Sequence, residues 1–364
     1  MSRRVYLHIG APKTGTTYLQ DRLAVNAKTL AANGIHFPTT SPLVSPGLAQ
    51  FRAALDLLDQ DWGGVTGHAS GSWDALARRV RRRSGTVVIS HEILAPADPA
   101  HVAKAMRDLA GSEIHVVYTA RDLARQVPAA WQESVKQGRR WSYRRFLDRF
   151  EKGRTWFYRS FDVPRVLGTW GAGLPPSHVH VVTVPPSGSD QTGDALWERM
   201  CSVLGIDPAW APLDSDRSNR SLGIAETQVV RQLNRRMDRQ ARRESSFDEL
   251  IREMLAQGEL LKRRSAAVTL PPERFPWAQE EAERWIEWIE GSGVDVVGDV
   301  AELRPVPPDP EVRWRDPDQV RPKRQLNTAL DALAAMTREA ARRPDPQRQL
   351  TQRVRAQVQR VRER

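Results

Sequence analysis

The chain has 364 residues, 40% hydrophobic and 27% charged, which allows a sizeable core in one large domain or two smaller ones. No apolar run approaches the ~18–20 residues of a membrane span, and the short N-terminal run leads into a Gly/Thr loop rather than a signal-peptide cleavage site. The net charge of +11 is uneven: eight arginines against two acids follow from Arg342 onward, and no nucleic-acid motif accompanies them, which speaks against nucleic acid as the main partner.

In chain order, "RVYLHIG" (4–10) reads as a buried strand, and residues 16–33 read as a helix through Tyr18, Leu19, Leu23, Leu30 and Ala31. An arginine-rich helical stretch (73–83) precedes a second strand, "GTVVISHE" (85–92). A third, "EIHVVYTARD" (113–122), leads into a helix containing Trp131, with Pro128 marking its first turns. "HVHVVTVP" (178–185) is a fourth strand, followed by helix 193–205, which stops at a glycine. Residues 223–264 read as charged helix, and "DVVGDV" (295–300) as one more short strand.

Val- and Ile-rich strands alternating with helices predict an α/β fold: a three-layer sandwich with a mostly parallel central sheet. In such sheets ligands lie beyond the carboxyl ends of the strands, which singles out Gly10 to Thr17, Ser90 to Glu92, and Arg121. The α/β domain is expected over 1–304, a Pro-rich linker over 305–322, and a basic, helical or partly disordered tail over 323–364. Leu326, Leu330, Leu333 and Met336 lie on one face of a helix in that tail, expected to pack on the body or on a second subunit, and Pro344 and Pro346 should end it.

The stretch "HIGAPKTGTTYLQ" combines strand, Gly-rich turn and helix start, the elements of an anion site. Free backbone N–H groups and the helix dipole favour negative charge there. Lys13 adds a full charge, and Thr14, Thr16 and Thr17 add hydroxyls. The triphosphatase pattern GxxxxGK[ST] is narrowly missed, because Thr16 stands where its lysine belongs and the lysine sits two residues before Gly15.

"GAPKTGTTYLQ" instead resembles the phosphosulfate-binding loop of sulfotransferases that use 3'-phosphoadenosine 5'-phosphosulfate (PAPS), and "VVYTARDLARQVPAAWQESVKQG" (116–138) resembles that family's 3'-phosphate segment. Weaker echoes of bacterial, chiefly actinobacterial, members are "VVISHEIL", "LWERMCSVLGIDP", "NRSLG" and "GVDVVGDVAELRP". The resemblance spans residues 4 to about 304 and implies a P-loop-like sandwich. It implies sulfuryl transfer from PAPS to a hydroxyl or amine, leaving 3',5'-adenosine bisphosphate. Lys13 to Thr17 would hold the 5'-phosphosulfate, Lys13 would stabilise the leaving phosphate, and Arg121 would bind the 3'-phosphate; no metal is expected. Where the family places a second 3'-phosphate contact, a serine, this chain has Ala129.

The acceptor must lose a proton, and His91 and Glu92 stand at a strand end where a base is needed. The resemblance favours Glu92 and the neutral titration range of imidazole favours His91. Trp131, Gln132 and Lys136 stand toward the acceptor side. The acceptor itself, whether small molecule, carbohydrate or lipid, is not readable from the chain. Two other readings compete: a P-loop small-molecule kinase, which lacks its lysine, and a non-catalytic sulfotransferase-like binding protein, for which Ala129 speaks. The single cysteine, Cys201, fits a reducing cytoplasm, and no Cys/His spacing indicates a zinc site.

Overall fold

The computed structural model describes residues 3–41, 43–186, 188, 194–215, 221–243 and 245–343. Six strands carry it: β1 (Arg3–Gly10), β2 (Ile35–His36), β3 (Gly85–Ser90), β4 (Glu113–Ala120), β5 (Val179–Thr183) and β6 (Asp295–Val297). They pair in the order β2-β3-β1-β4-β5-β6, every pair parallel. Leu7 of β1 stands level with Ile89 of β3 and Val116 of β4.

The helices before β5 are α1 (Thr16–Val25), α2 (Ala27–Ala32), α3 (Pro46–Leu57), α4 (Ser72–Arg81), α5 (Pro99–Asp108), α6 (Leu123–Lys136), α7 (Tyr143–Glu151), α8 (Trp156–Phe161) and α9 (Val163–Trp170). After it come α10 (Ala195–Leu204), α11 (Ile224–Arg236), a π-helical segment (Asp248–Glu259), and helices Phe275–Ser292 and Pro322–Arg342.

Side chains alternate across each strand, so one run of apolar residues builds two cores. Tyr6, Val88, Val117 and Val182 point to one face, covered by Leu19 and Leu23 of α1, Leu30 of α2, and Leu196 and Trp197 of α10. Val5, Leu7, Ile9, Ile89, Val116, Tyr118 and Val181 point to the other, covered by α3 to α9, α11 and helix Phe275–Ser292. That is the expected three-layer α/β sandwich, with a sheet that is wholly parallel. Three of the buried tryptophans satisfy their polar ends: Trp73 donates to Asp108, Trp131 to the Trp141 carbonyl and Trp170 to the Leu94 carbonyl.

Several expectations shift by physical detail. The helix expected over 16–33 divides at Asn26, whose side chain bonds the Arg22 carbonyl and both backbone groups of Leu213. Pro128 is interior to α6 rather than in its first turn, which begins at Leu123 behind the cap Asp122. Leu326, Leu330 and Leu333 are turned outward, while Met336 packs against the body and helix Pro322–Arg342 buries Thr328, Ala332 and Ala335. Small residues let that helix lie close against its neighbour. The break expected at Pro344 and Pro346 lies outside the described residues.

The Pro-rich stretch before that helix is tied to the body. Asp318 accepts from the Tyr143 and Arg144 N–H groups at 3.0 and 3.1 Å while Ser142 accepts from Arg145, so the first turn of α7 is capped from outside its own segment. Asp318→Ala should cost about 1–2 kcal/mol, as loss of a helix cap does. Urea or thermal unfolding measures it, and a stability equal to the unsubstituted protein would show the anchoring to be idle.

Candidate active site

Gly10 ends β1 at φ 134, and a Cβ there would meet Ala95 Cβ at 3.3 Å and the Glu92 carbonyl oxygen at 3.4 Å. The loop therefore passes tight against the turn that follows β3. Gly15, at φ 93, starts α1, and a Cβ on it would stand 2.6 Å from Leu196. Between them Lys13 sits in the left-handed region at φ 67. A non-glycine there costs on the order of 1–3 kcal/mol and persists only where its surroundings over-determine it.

The surroundings are β4 and α6. Thr119 donates to the Gly10 carbonyl at 2.9 Å with its hydroxyl lying against that of Thr14, its backbone carbonyl takes the Ala11 N–H, and Gln126 donates to the Pro12 carbonyl at 2.8 Å. Thr14 spends its hydroxyl on the Ala11 carbonyl at 2.6 Å, so what it can offer a ligand is its backbone N–H and not the expected hydroxyl. Among the described residues no acceptor takes the N–H groups of Lys13, Thr14, Gly15, Thr16 or Thr17. A row of unpartnered N–H groups at a helix start is an anion cradle.

Arg121 follows β4 directly and donates from Nη1 to the Lys13 carbonyl at 3.0 Å, joining the two predicted anion contacts. It is not paired with Asp122, which instead binds Arg125. Its Nε is buried without a partner, and burial together with Arg125 pushes the guanidinium down to about 10. A half-buried guanidinium with no acidic partner among the described residues favours an anion. Ala129 is partly exposed on α6, and Arg125 does not replace the missing serine: it is held by Asp122 and the Val184 and Pro185 carbonyls.

Lys13 reaches Glu133 of α6 at 3.1 Å. Lys136 meets the same oxygen at 2.7 Å and Arg252, from the π-helical segment, the other at 3.6 Å. Burial would raise the Glu133 pKa, but these three cations outweigh it and hold the carboxyl well below the ordinary range. Burial, Lys13 and Arg252 lower the Lys136 ammonium against the pull of Glu133.

His91 and Glu92 part company. His91 Nδ1 accepts the Ile93 N–H at 3.3 Å and its ring lies 5.3 Å from that of Phe51. Burial, with Arg252 adding to it, lowers its pKa against the pull of Glu92, so it is neutral, and with Nδ1 accepting, its proton is on Nε2. It has no lone pair to offer a substrate. Glu92 faces the loop: Gln20 donates to it at 3.4 Å, and although burial would raise its pKa, the Lys13 ammonium and the Thr16 hydroxyl help to hold it below the ordinary range.

The structure thus brings Lys13, Thr16, Glu92 and Arg121 to one end of β1, β3 and β4, with the N–H groups of Thr14 and Gly15; Thr17 is exposed beside them. Glu133, Arg252 and Gln20 were not foreseen. Glu133 alone left a trace, as the i,i+3 partner of Lys136. Trp131 is core, Gln132 bonds the Leu222 carbonyl, and Asn219 of the "NRSLG" echo lies outside the described residues. A surface hollow beside β2, lined by His36, Arg79, Arg82 and Arg83, contains none of these groups.

Glu133→Gln should destabilise the protein at neutral pH by on the order of 2–3 kcal/mol, since it strands partly exposed cations. The depressed carboxylate stabilises above its unfolded pKa, so the difference between the two proteins should shrink as pH falls below ~4.3 toward the folded value. Urea unfolding across that range reads it, and a pH-independent difference would contradict the ion-pair account.

No protein-family model, no curated protein and no solved structure matches this chain, so its likeness to the PAPS-dependent sulfotransferases rests on the two motifs whose geometry is described above.

Proposed function

We propose that this protein is a sulfotransferase that moves a sulfuryl group from PAPS to a hydroxyl or amine of a small-molecule, carbohydrate or lipid acceptor. The observation that carries the reading is the half-buried Arg121 guanidinium, without an acidic partner among the described residues, its Nε buried and its Nη1 hydrogen-bonded to the backbone of the lysine-bearing loop. Two anion contacts on neighbouring strand ends suit a ligand with two separated phosphates. A lone triphosphate cradle would not need the second.

The donor supplies an activated sulfate whose leaving group is the 5'-phosphate of the nucleotide. The N–H groups of Lys13 to Thr17 and the Lys13 ammonium face charge that grows on that phosphate, and fixed donors aimed at developing charge lower the barrier. Glu92 accepts the proton of the attacking hydroxyl as the new oxygen–sulfur bond forms and the old one breaks. Lys13 must leave Glu133 to serve the phosphate, so Glu133 holds its ammonium near the loop until the donor arrives.

Ala129 favours a second reading, a protein that binds the nucleotide without transferring sulfate. Retained nucleotide binding with no transfer to any acceptor would select it.

Calorimetry should show 3',5'-adenosine bisphosphate binding without magnesium, weakened about 10–100-fold by Arg121→Ala, the worth of a charge-assisted hydrogen bond. Tighter binding of ATP, or strict dependence on magnesium, would move the case to a kinase. Glu92→Gln should lower kcat about 100-fold or more. The acid limb of the kcat profile should lie below the ordinary glutamate range, as the depressed Glu92 pKa requires. An acid limb near the imidazole range, lost in His91→Asn, would assign the base to His91.

A further inference from the structure

At the opposite, amino-terminal ends of the strands, five side chains form a chain of contacts. Asp295 of β6 accepts from His180 Nδ1 at 2.7 Å, His180 Nε2 faces His115 Nδ1 at 2.8 Å, and His115 Nε2 faces Glu113 Oε1 at 3.0 Å. The fifth, His178, stacks on His115 with ring centroids 4.2 Å apart.

The protons of this chain can be counted. A carboxylate only accepts, so His180 must carry its proton on Nδ1. Its Nε2 is then a lone pair, and His115 must carry its proton on Nδ1. That leaves a lone pair on His115 Nε2 pointed at a carboxylate oxygen. Three contacts share the two protons of two neutral imidazoles, and the contact left without one is His115–Glu113. Arg4 Nε donates to the same Glu113 oxygen at 3.0 Å, which serves the carboxylate but not the imidazole lone pair.

One cation is therefore missing between His115 and Glu113. A proton fits poorly, because it would charge a buried ring that lies between the Tyr6 ring at 4.7 Å and the ring of His178. A metal ion fits better. Ligand atoms of Glu113, His115 and His178 lie within 4.8 Å of one another. His178 is half-buried and makes no side-chain hydrogen bond among the described residues, so its ring can turn onto an ion. Two imidazoles and a carboxylate suit a borderline divalent ion such as zinc.

We infer that Glu113, His115 and His178 bind a divalent transition-metal ion of the zinc class, with His180 and Asp295 as positioning residues. The outer N–H of a metal-bound histidine is normally held by an acceptor that fixes its tautomer, which is what His180, oriented by Asp295, does for His115. The ion would staple the start of β4 to the turn Pro176–His178 that leads into β5. It stands away from the anion loop and does not depend on the sulfotransferase reading.

The test uses the full chain, stripped with chelator and titrated with cobalt(II). One equivalent should bind, with visible ligand-field bands and a raised Tm. His178→Ala and Glu113→Gln should weaken uptake at least ~10-fold, and Asp295→Asn about 10–100-fold without removing a ligand. His101→Ala, at a separate histidine beside Asp59 and Asp98, should bind cobalt as the parent does. No saturable uptake would overturn the proposal, as would uptake unchanged by His178→Ala or lost in His101→Ala. A ring-nitrogen NMR spectrum showing His115 doubly protonated at neutral pH, without uptake, would assign the missing cation to a proton and overturn it too.

Discussion

The hydrogen bonds that bind the Gly10–Gly15 loop to β4 and α6 are the constraint on which the rest of the site depends. The loop has no regular structure of its own and holds a lysine in a left-handed conformation. Thr119, Gln126 and Arg121 grip its carbonyls and leave its N–H groups facing out. Because the carbonyls of Gly10, Ala11, Pro12 and Lys13 are satisfied from the protein side, the backbone groups left facing out there are N–H donors. The central place of β1, between β3 and β4, brings Glu92 and Arg121 to either side of that row.

Glu133 explains how so much positive charge is tolerated before a ligand arrives. Lys13, Lys136 and Arg252 would repel one another across a partly dry cleft, and one buried carboxylate holds all three. The arrangement leaves Lys13, Lys136 and Arg252 with one shared partner rather than partners of their own, which is the charge balance the proposed donor binding would draw on.

The parallel sheet was legible because β1, β3, β4 and β5 are near-continuous apolar runs, and a strand buried on both faces needs nothing else. β2 was not, since Ile35–His36 is too short to form a pattern. Arg121 was legible because it ends a strand. Glu133 and Arg252 were not, because they meet Lys13 only through the packing of α6 and the π-helical segment. Of the stripe Leu326, Leu330, Leu333 and Met336 only Met336 meets the body: amphipathicity marks the larger apolar residues, while the contact within the chain is made mainly by Thr328, Ala332 and Ala335. Between His91 and Glu92 spacing could not choose; the structure adds that His91 Nδ1 accepts the Ile93 N–H while Glu92 faces the loop.

The clamps on the loop come from far along the chain. Thr119 meets Thr14 across 105 residues, Arg121 meets Lys13 across 108, and Gln126 meets Pro12 across 114. Closing such separations is slow relative to forming local helices. During synthesis, then, the motif emerges early but stays a flexible loop until β4 and α6 have been made and docked. On the proposed reading, anion affinity would be acquired late in folding, and a ligand held by this loop would select the finished molecule over its partly folded precursors.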